Sequence, residues 1–548
     1  MLIWIAVAVI SFVLLTYPVI RRFRAGKIAC QLLGGAALMS APLAWTLPDA
    51  VLPSLYRIAG LWTLAFLLIL LLQFPVRGRL RRGILGVIVI AGLVQMCLGT
   101  WQIVFPVSAG EYLNYSFSAA HGRPLGSLMQ VNLLGSFLVT GVACAVWLFL
   151  SSRRVYPRVF WACCVIALCA GVVITESRTA WLAMYVTLVL MLLVFVRRSP
   201  GMCFITAMVL GMGILAGQGI LSLRPADLND VTAISHSASP GDTRPSDVGE
   251  RLEWSRQRSD PERMVMLVGT LGMIASHPLL GNGLSSFEVK FPEYIASEGR
   301  DNPFTVTVPF PHNEVLYVWS EGGGIALAGL LMWLWVWGTP FVRALRTRRF
   351  RIFLGRAALT LPVMVHIMLE YPLYQSAAHA ILLIVLVWLA MPVQKRAIMP
   401  GTDIIRPLTF GFSVLCIVAV VFMATGLQSA RQIYDAERFA LTDPAPLHRV
   451  MNPYAQPERL LFDKAVSALI QFNITQNYDW LPYFKIRAEE WLKYQNDANL
   501  IATMMQISSV NKDTTAVEFW RKRGCLSFPR EPRFNCASAF VIQELNTP

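Results

Sequence analysis

Long apolar runs alternate with short polar links along most of this 548-residue chain. Twelve of them, at about 3–20, 28–47, 57–74, 83–105, 129–150, 159–175, 180–196, 202–222, 313–338, 354–370, 377–394 and 406–427, approach the roughly 17–25 residues with which a helix crosses a hydrocarbon core. The pattern predicts an all-α polytopic membrane protein with about twelve transmembrane helices. Two polar segments interrupt it, so the expected organisation is an N-terminal bundle over 1–222, a loop over 223–311, further membrane helices over 312–427 and a helical domain over 428–548. The loop opens with LNDVTAISHSASPGDTRPSDVGER, whose Ser, Asp, Pro and Gly content predicts a mobile stretch. Its second half, PERMVMLVGTLGMIASHPLLGNG, reads as an amphipathic or interfacial helix stopped by Pro278 and the following glycines. In the tail, RQIYDAERFAL, ERLLFDKAVSALIQF and YFKIRAEEWLKY predict paired helices.

Composition supports this reading: 55 % of residues are hydrophobic, 14 % are charged, and mean hydropathy is +0.55. A soluble domain carries about 25 % charged residues. The net charge of +15 would point to nucleic acid if the cations shared one solvated face. Instead, six short links hold 21 Lys or Arg and no Asp or Glu: Arg21 to Lys27, Arg77 to Arg82, Arg153 to Arg158, Arg197 with Arg198, Arg343 to Arg356, and Lys395 with Arg396. The four short links between them hold three arginines, Arg57, Arg123 and Arg178. By the positive-inside rule the six links face the cytoplasm, and both termini, the loop and the tail lie outside it. Removing the six links leaves 26 basic against 32 acidic residues, so the charge excess is a topological signal. The first run lacks an A-x-A-like cleavage site and precedes Arg21, Arg22 and Arg24, which reads as a retained helix rather than a signal peptide.

Four features on the outer side carry the candidate chemistry. In TESRTAW, Arg178 stands at the lipid–water boundary, where a guanidinium can grip a phosphate oxygen; the bland alternative is a Glu176–Arg178 pair capping the turn. Arg263 begins the amphipathic loop helix, where a second cation would bracket a diphosphate, although an interfacial anchor is the commoner use and Arg251, Arg256 and Arg258 compete. In FPHNEVLYVWSEGGGIALAGL, His312 stands at a helix mouth with Glu314 two residues on and Gly322 to Gly324 deeper. A histidine there is either a cap or the group that accepts a hydroxyl proton near neutrality. MLEYPLYQS supplies Glu370, Tyr371, Tyr374 and Gln375, with aromatic-belt anchoring as the simple explanation of the tyrosines. Of ten cysteines, Cys525 and Cys536 fall in the tail, where an oxidising compartment favours a disulfide. No CxxC or HExxH spacing points to a metal site.

In order, spacing and membrane side, these features resemble the O-antigen ligase and polymerase superfamily, and within it the bacterial protein O-oligosaccharyltransferases of the PglL type. SRTAW, the Arg263 helix running to HPLLGNG, and PHNE look like the motifs of the wider superfamily. GRPLGSLMQVNLLGSFL, with Gln130 and Asn132, looks like the segment of the protein-ligase branch; in the Arg263 helix, Leu267 stands four residues after Arg263 where this family often has tryptophan. The resemblance implies an inner-membrane enzyme that moves a glycan from an undecaprenyl-diphosphate carrier to Ser or Thr hydroxyls of a periplasmic acceptor such as a pilin, without a nucleotide sugar, metal or other cofactor. It assigns Arg178 and Arg263 to the diphosphate and His312 to the acceptor hydroxyl or leaving group. Gln130, Asn132, Glu314, Tyr371 and Tyr374 become candidate substrate contacts. An O-antigen ligase acting on lipid A–core, an O-antigen polymerase, a transporter built around Glu321, and a structural membrane protein remain the alternatives.

Overall fold

A computed structural model describes residues 1–16, 26–76, 78–113, 115–196, 199–225, 248–347, 350–391 and 402–536, with backbone only at 248–261, 402–406 and 408. Among these residues the elements are α-helices and short 3-10 turns. The polar stretch at 226–247 lies outside them, as do Arg21, Arg22, Arg24, Arg77, Arg197, Arg198, Arg348, Arg349, Lys395 and Arg396 of the basic links, and the side chains of Arg251, Arg256 and Arg258.

Each apolar run coincides with a helix or helix pair. Nine of the described helices are long and apolar enough to cross a membrane. Phe350–Ala358 and Leu361–Leu369, bent by 45° at their junction, make a tenth when taken as one span. Pro362 explains this break: it has no N–H with which to continue the preceding helix. The structure thus supports nine or ten spans where twelve were expected. The difference is in Ala377–Ala390, a helix of 14 residues against the roughly 20 that a bilayer needs at 1.5 Å per residue, and in Leu2–Thr16, which is described only as far as Thr16.

Val131–Ser151 is the central helix. It is apolar all round and buried almost throughout, as a core helix must be. Gly78–Val104, Val155–Ile174, Arg178–Val196 and Leu361–Leu369 pack around it. Its N-terminal end is set by the preceding link, which Gln102 pins by accepting from the backbone N–H of Leu125 and Gly126, both at 2.8 Å.

A second junction joins the HPLLGNG segment to the Glu314–Leu345 helix. Gly323 leaves the helical conformation at φ 64°, ψ −166°, which breaks the ladder and frees backbone groups for the segment alongside. Gly324 N–H donates to Pro278 O at 2.8 Å, Asn282 N–H to Ser320 O at 3.0 Å, and Gly283 N–H to Glu321 O at 2.9 Å. Trp319 and Trp45 donate to Pro278 O and Leu280 O. The backbones approach so closely that a Cβ on Gly323 would lie 2.1 Å from Leu279 O. The expected loop helix therefore exists, spanning Val248–Ser276, and ends in a lock rather than in solvent.

The Thr402–Arg438 helix runs unbroken across residue 428 into the tail. There Pro457–Thr475, Trp480–Leu492, Ala498–Val510 and Thr514–Ser527 enclose Phe484, Leu492, Ile501, Met504 and Phe534. Cys525 is bonded to Cys536. The tail is tied to the loop by Glu288, which accepts from Asn496 N–H at 2.9 Å and Thr307 Oγ1 at 2.7 Å, and by Asn302 Nδ2 donating to Leu526 O at 3.1 Å.

Candidate functional site

Four helix ends and two links meet beside the central helix. Gln130 is extended immediately before Val131–Ser151, and Asn132 lies in its first turn. Ser177 precedes Arg178–Val196 and accepts from Ala180 N–H at 3.2 Å, as a helix cap does. Its hydroxyl donates to Asn132 Oδ1 at 2.6 Å, which turns the Asn132 amide group outward. That amide donates to Glu370 Oε1.

Glu370 ends the Leu361–Leu369 helix two residues before Pro372 and is only 4 % exposed. A buried carboxylate needs several donors to offset its lost hydration. Glu370 receives them from Asn132, from His366 Nε2 at 3.1 Å and from Gln130 Nε2 at 3.4 Å. Behind it a hydrogen-bonded series continues into the bundle. His366 Nδ1 lies 2.8 Å from Ser136 Oγ, Ser136 Oγ lies 2.9 Å from His379 Nε2, and His379 Nδ1 lies 2.8 Å from Ser376 Oγ.

His312 faces this centre from the Glu314–Leu345 helix mouth. Asn313 accepts from Leu316 N–H at 3.1 Å and donates to Met368 O at 3.0 Å, so the PHNE and LEYP segments are fastened together. His312 takes a left-handed φ of 54°, and its ring meets Tyr371 edge-on at 5.1 Å. Burial lowers its basicity below the ordinary histidine value; the Glu370 charge opposes this and the Arg263 charge adds to it. Those two electrostatic effects bring Arg263 and Glu370 into the field of His312. Its Nδ1 is enclosed without a hydrogen-bond partner among the described residues, and so is Gln130 Oε1. Two buried polar atoms left open at one site are where a ligand's hydroxyl or amide would bond.

Arg178 and Arg263 are both exposed; Arg178 opens its helix, whereas Arg263, expected at a helix start, lies in the middle of Val248–Ser276. The neighbouring Glu176 pairs with Arg224 at 3.2 Å and adopts φ 51°. Leu267 is 42 % exposed, on the face of its helix opposite the buried Met266, Thr270 and Met273. Glu314 and Tyr374 bond to each other at 2.6 Å and stand apart from the Glu370 set. They belong to an aromatic group in which Phe310 meets Tyr371, Tyr374 and Tyr317, and Arg57 lies 4.4 Å from the Tyr317 ring centre. Arg57 also pairs with Glu321 at 2.5 Å.

Sequence reasoning named Arg57, Glu321 and Glu370 but did not join Arg57 to Glu321, and it passed over Ser136, His366, Ser376 and His379. The available signal was polarity inside apolar helices: LPVMVHIML and AAHAILLIVLVWLA each hold one histidine.

The family model for O-antigen ligases matches residues 162–331, and that for the C-terminal part of virulence-factor membrane-bound polymerases matches 356–534. They support the membrane O-antigen ligase/polymerase superfamily. The two matches suggest a multi-pass membrane enzyme that transfers glycosyl groups. No curated protein matches the chain. The first match carries Arg178, Arg263 and His312; the second carries Glu370, Tyr371 and most of the tail. Gln130 and Asn132 precede both, so the site combines three stretches of chain.

Proposed function

We propose that this protein transfers an oligosaccharide en bloc from undecaprenyl diphosphate to Ser or Thr hydroxyls of periplasmic proteins such as pilins. The observation that carries the reading is His312: a half-buried imidazole whose enclosed Nδ1 is open, in the fields of Glu370 and Arg263. Burial keeps it neutral near pH 7, the form a general base requires. In this reaction the hydroxyl oxygen bonds to the anomeric carbon as its proton passes to His312. The bond from that carbon to the diphosphate breaks, and its electron pair leaves on the diphosphate. Arg178 and Arg263 stabilise the charge that develops there. The two arginines supply the charge that a metal ion supplies in other transferases. Both oxygens of Glu370 are engaged by donors, which disfavours a covalent glycosyl intermediate and favours one inverting displacement. The enzyme would lie in the bacterial inner membrane with twelve passes, both termini, the loop and the tail periplasmic.

The tail supports a protein acceptor: it rests on the loop through Glu288 and Asn302, close enough to present a folded substrate to the outer face. The matched families favour a second reading, in which lipid A–core or another lipid-linked glycan is the acceptor. A transporter is less well supported, since Glu321 is satisfied by Arg57 and by the backbone N–H groups of Ser285 and Phe287. The full chain, expressed with a lipid-linked glycan and a pilin in a ligase-deficient host, is expected to glycosylate the pilin. Glycan found only on lipid A–core would overturn the protein-acceptor reading.

A further inference from the structure

The series behind Glu370 has a direction. Each histidine in it uses both ring nitrogens, and a neutral imidazole has one donor and one acceptor. A carboxylate needs a donor, so His366 presents Nε2–H to Glu370 and its Nδ1 accepts from the Ser136 hydroxyl, whose 2.8 Å contact there is shorter than the 3.3 Å to its other acceptor, Leu133 O. Ser136 then accepts from His379 Nε2–H, and His379 Nδ1 accepts from the Ser376 hydroxyl. The opposite direction would set a bare His366 lone pair against the carboxylate. All four groups are nearly or completely buried, and three helices contribute to the series. Burying two histidines and two serines in a membrane bundle is costly unless they serve the site they lead to.

We propose that Ser376, His379, Ser136 and His366 form a positioning series that holds Glu370 as a carboxylate facing His312, where its charge pairs with the imidazolium formed during transfer. This rests on the proposed reaction, and it assigns roles to five residues that do not touch the substrate. The groups acting on His312 are Glu370 from the end of Leu361–Leu369, Tyr371 just beyond it, and Arg263 from Val248–Ser276. Glu370 is the one that favours the charged ring, and Arg263 opposes it. The proton balance is simple: it leaves the acceptor hydroxyl, resides on His312 beside Glu370, and returns to solvent after the diphosphate departs. Within this arrangement Asn132 and Gln130 fix the carboxylate from the front while the histidine series fixes it from behind.

Glu370→Gln keeps the shape and removes the charge. In the full-length protein reconstituted with an undecaprenyl-diphosphate-linked disaccharide and a Ser-containing pilin peptide, transfer at pH 7 is expected to fall at least about tenfold. The acid limb of kcat/KM should move to lower pH. Ser136→Ala should give a smaller loss of about three- to tenfold, and the double variant should be no slower than Glu370→Gln alone. A second measurement needs no substrate: the NMR titration of histidine-labelled full-length protein, with the His312 signal assigned from its loss in His312→Asn. Its midpoint should move to lower pH in Glu370→Gln. An unmoved midpoint in folded Glu370→Gln, or losses that simply multiply in the double variant, would overturn the proposal. Wild-type protein that transfers nothing to a hydroxyl while the titration shifts as expected would overturn the functional reading instead.

Discussion

Glu321 and Glu370 are both nearly inaccessible, at 1 % and 4 % exposure, yet the chain treats them oppositely. Glu321 is matched by a full positive charge, Arg57, and by two backbone N–H groups from the segment it anchors. It is spent on structure, holding the 281–287 turn against the kinked helix. Glu370 has no arginine or lysine among its described partners, which are Asn132, Gln130 and His366, and its charge acts on His312. A buried carboxylate closed by arginine is a fastening, whereas one held by amides and imidazole remains electrostatically active.

The most severe way to break the contrast is to remove the chemistry on the Glu370 side. Arg178→Ala, Arg263→Ala and His312→Ala should each reduce transfer at least about 100-fold while the protein still accumulates in the membrane. On the Glu321 side the loss should be one of folding. Glu321→Gln leaves Arg57 without its partner and is expected to cost about 3 kcal/mol, read as lower membrane abundance and thermal stability, with transfer per folded molecule retained. If Glu321→Gln instead leaves abundance intact and abolishes transfer, the two carboxylates have been assigned the wrong way round.

Gly323→Ala tests the same fastening through the backbone. The new Cβ would collide with Leu279 O at a positive φ, at a cost of about 1–3 kcal/mol seen as a lowered unfolding temperature. The smallest effect concerns Asp463 in the tail. Burial, with the nearby Glu437 charge, pushes its carboxyl up to about 7, and one oxygen is enclosed without a partner among the described residues. A folded value above the unfolded one means that stability is lost as pH rises from about 4 to 7. Asp463→Asn should therefore raise the unfolding temperature by about 2–4 °C at pH 8 and leave it nearly unchanged at pH 4.

The helices were legible because their signal is local. Twenty apolar residues need no partner to be recognised, and all the runs reappear as helices. Their number as spans was less legible, since the eleventh run forms a helix of only 14 residues and Pro362 bends the tenth. At the site, His312, Asn132, Gln130 and Glu370 could be named from short motifs, and the i, i+4 spacing of His366 and Glu370 was present in the sequence. The long-range pairings were not: Arg57 meets Glu321 across 264 positions, and Ser136 meets His366 across 230. A single sequence carries no term that links such distant residues, and the glycine lock at 278–283 becomes visible only when two backbones are brought together.

The most direct measurement is the mass of periplasmic proteins from cells carrying the wild-type chain, the His312→Ala chain, or neither. The account predicts a glycan increment on Ser or Thr of at least one periplasmic protein with the wild-type chain alone. Identical masses in all three, or an increment that persists with His312→Ala, would contradict it.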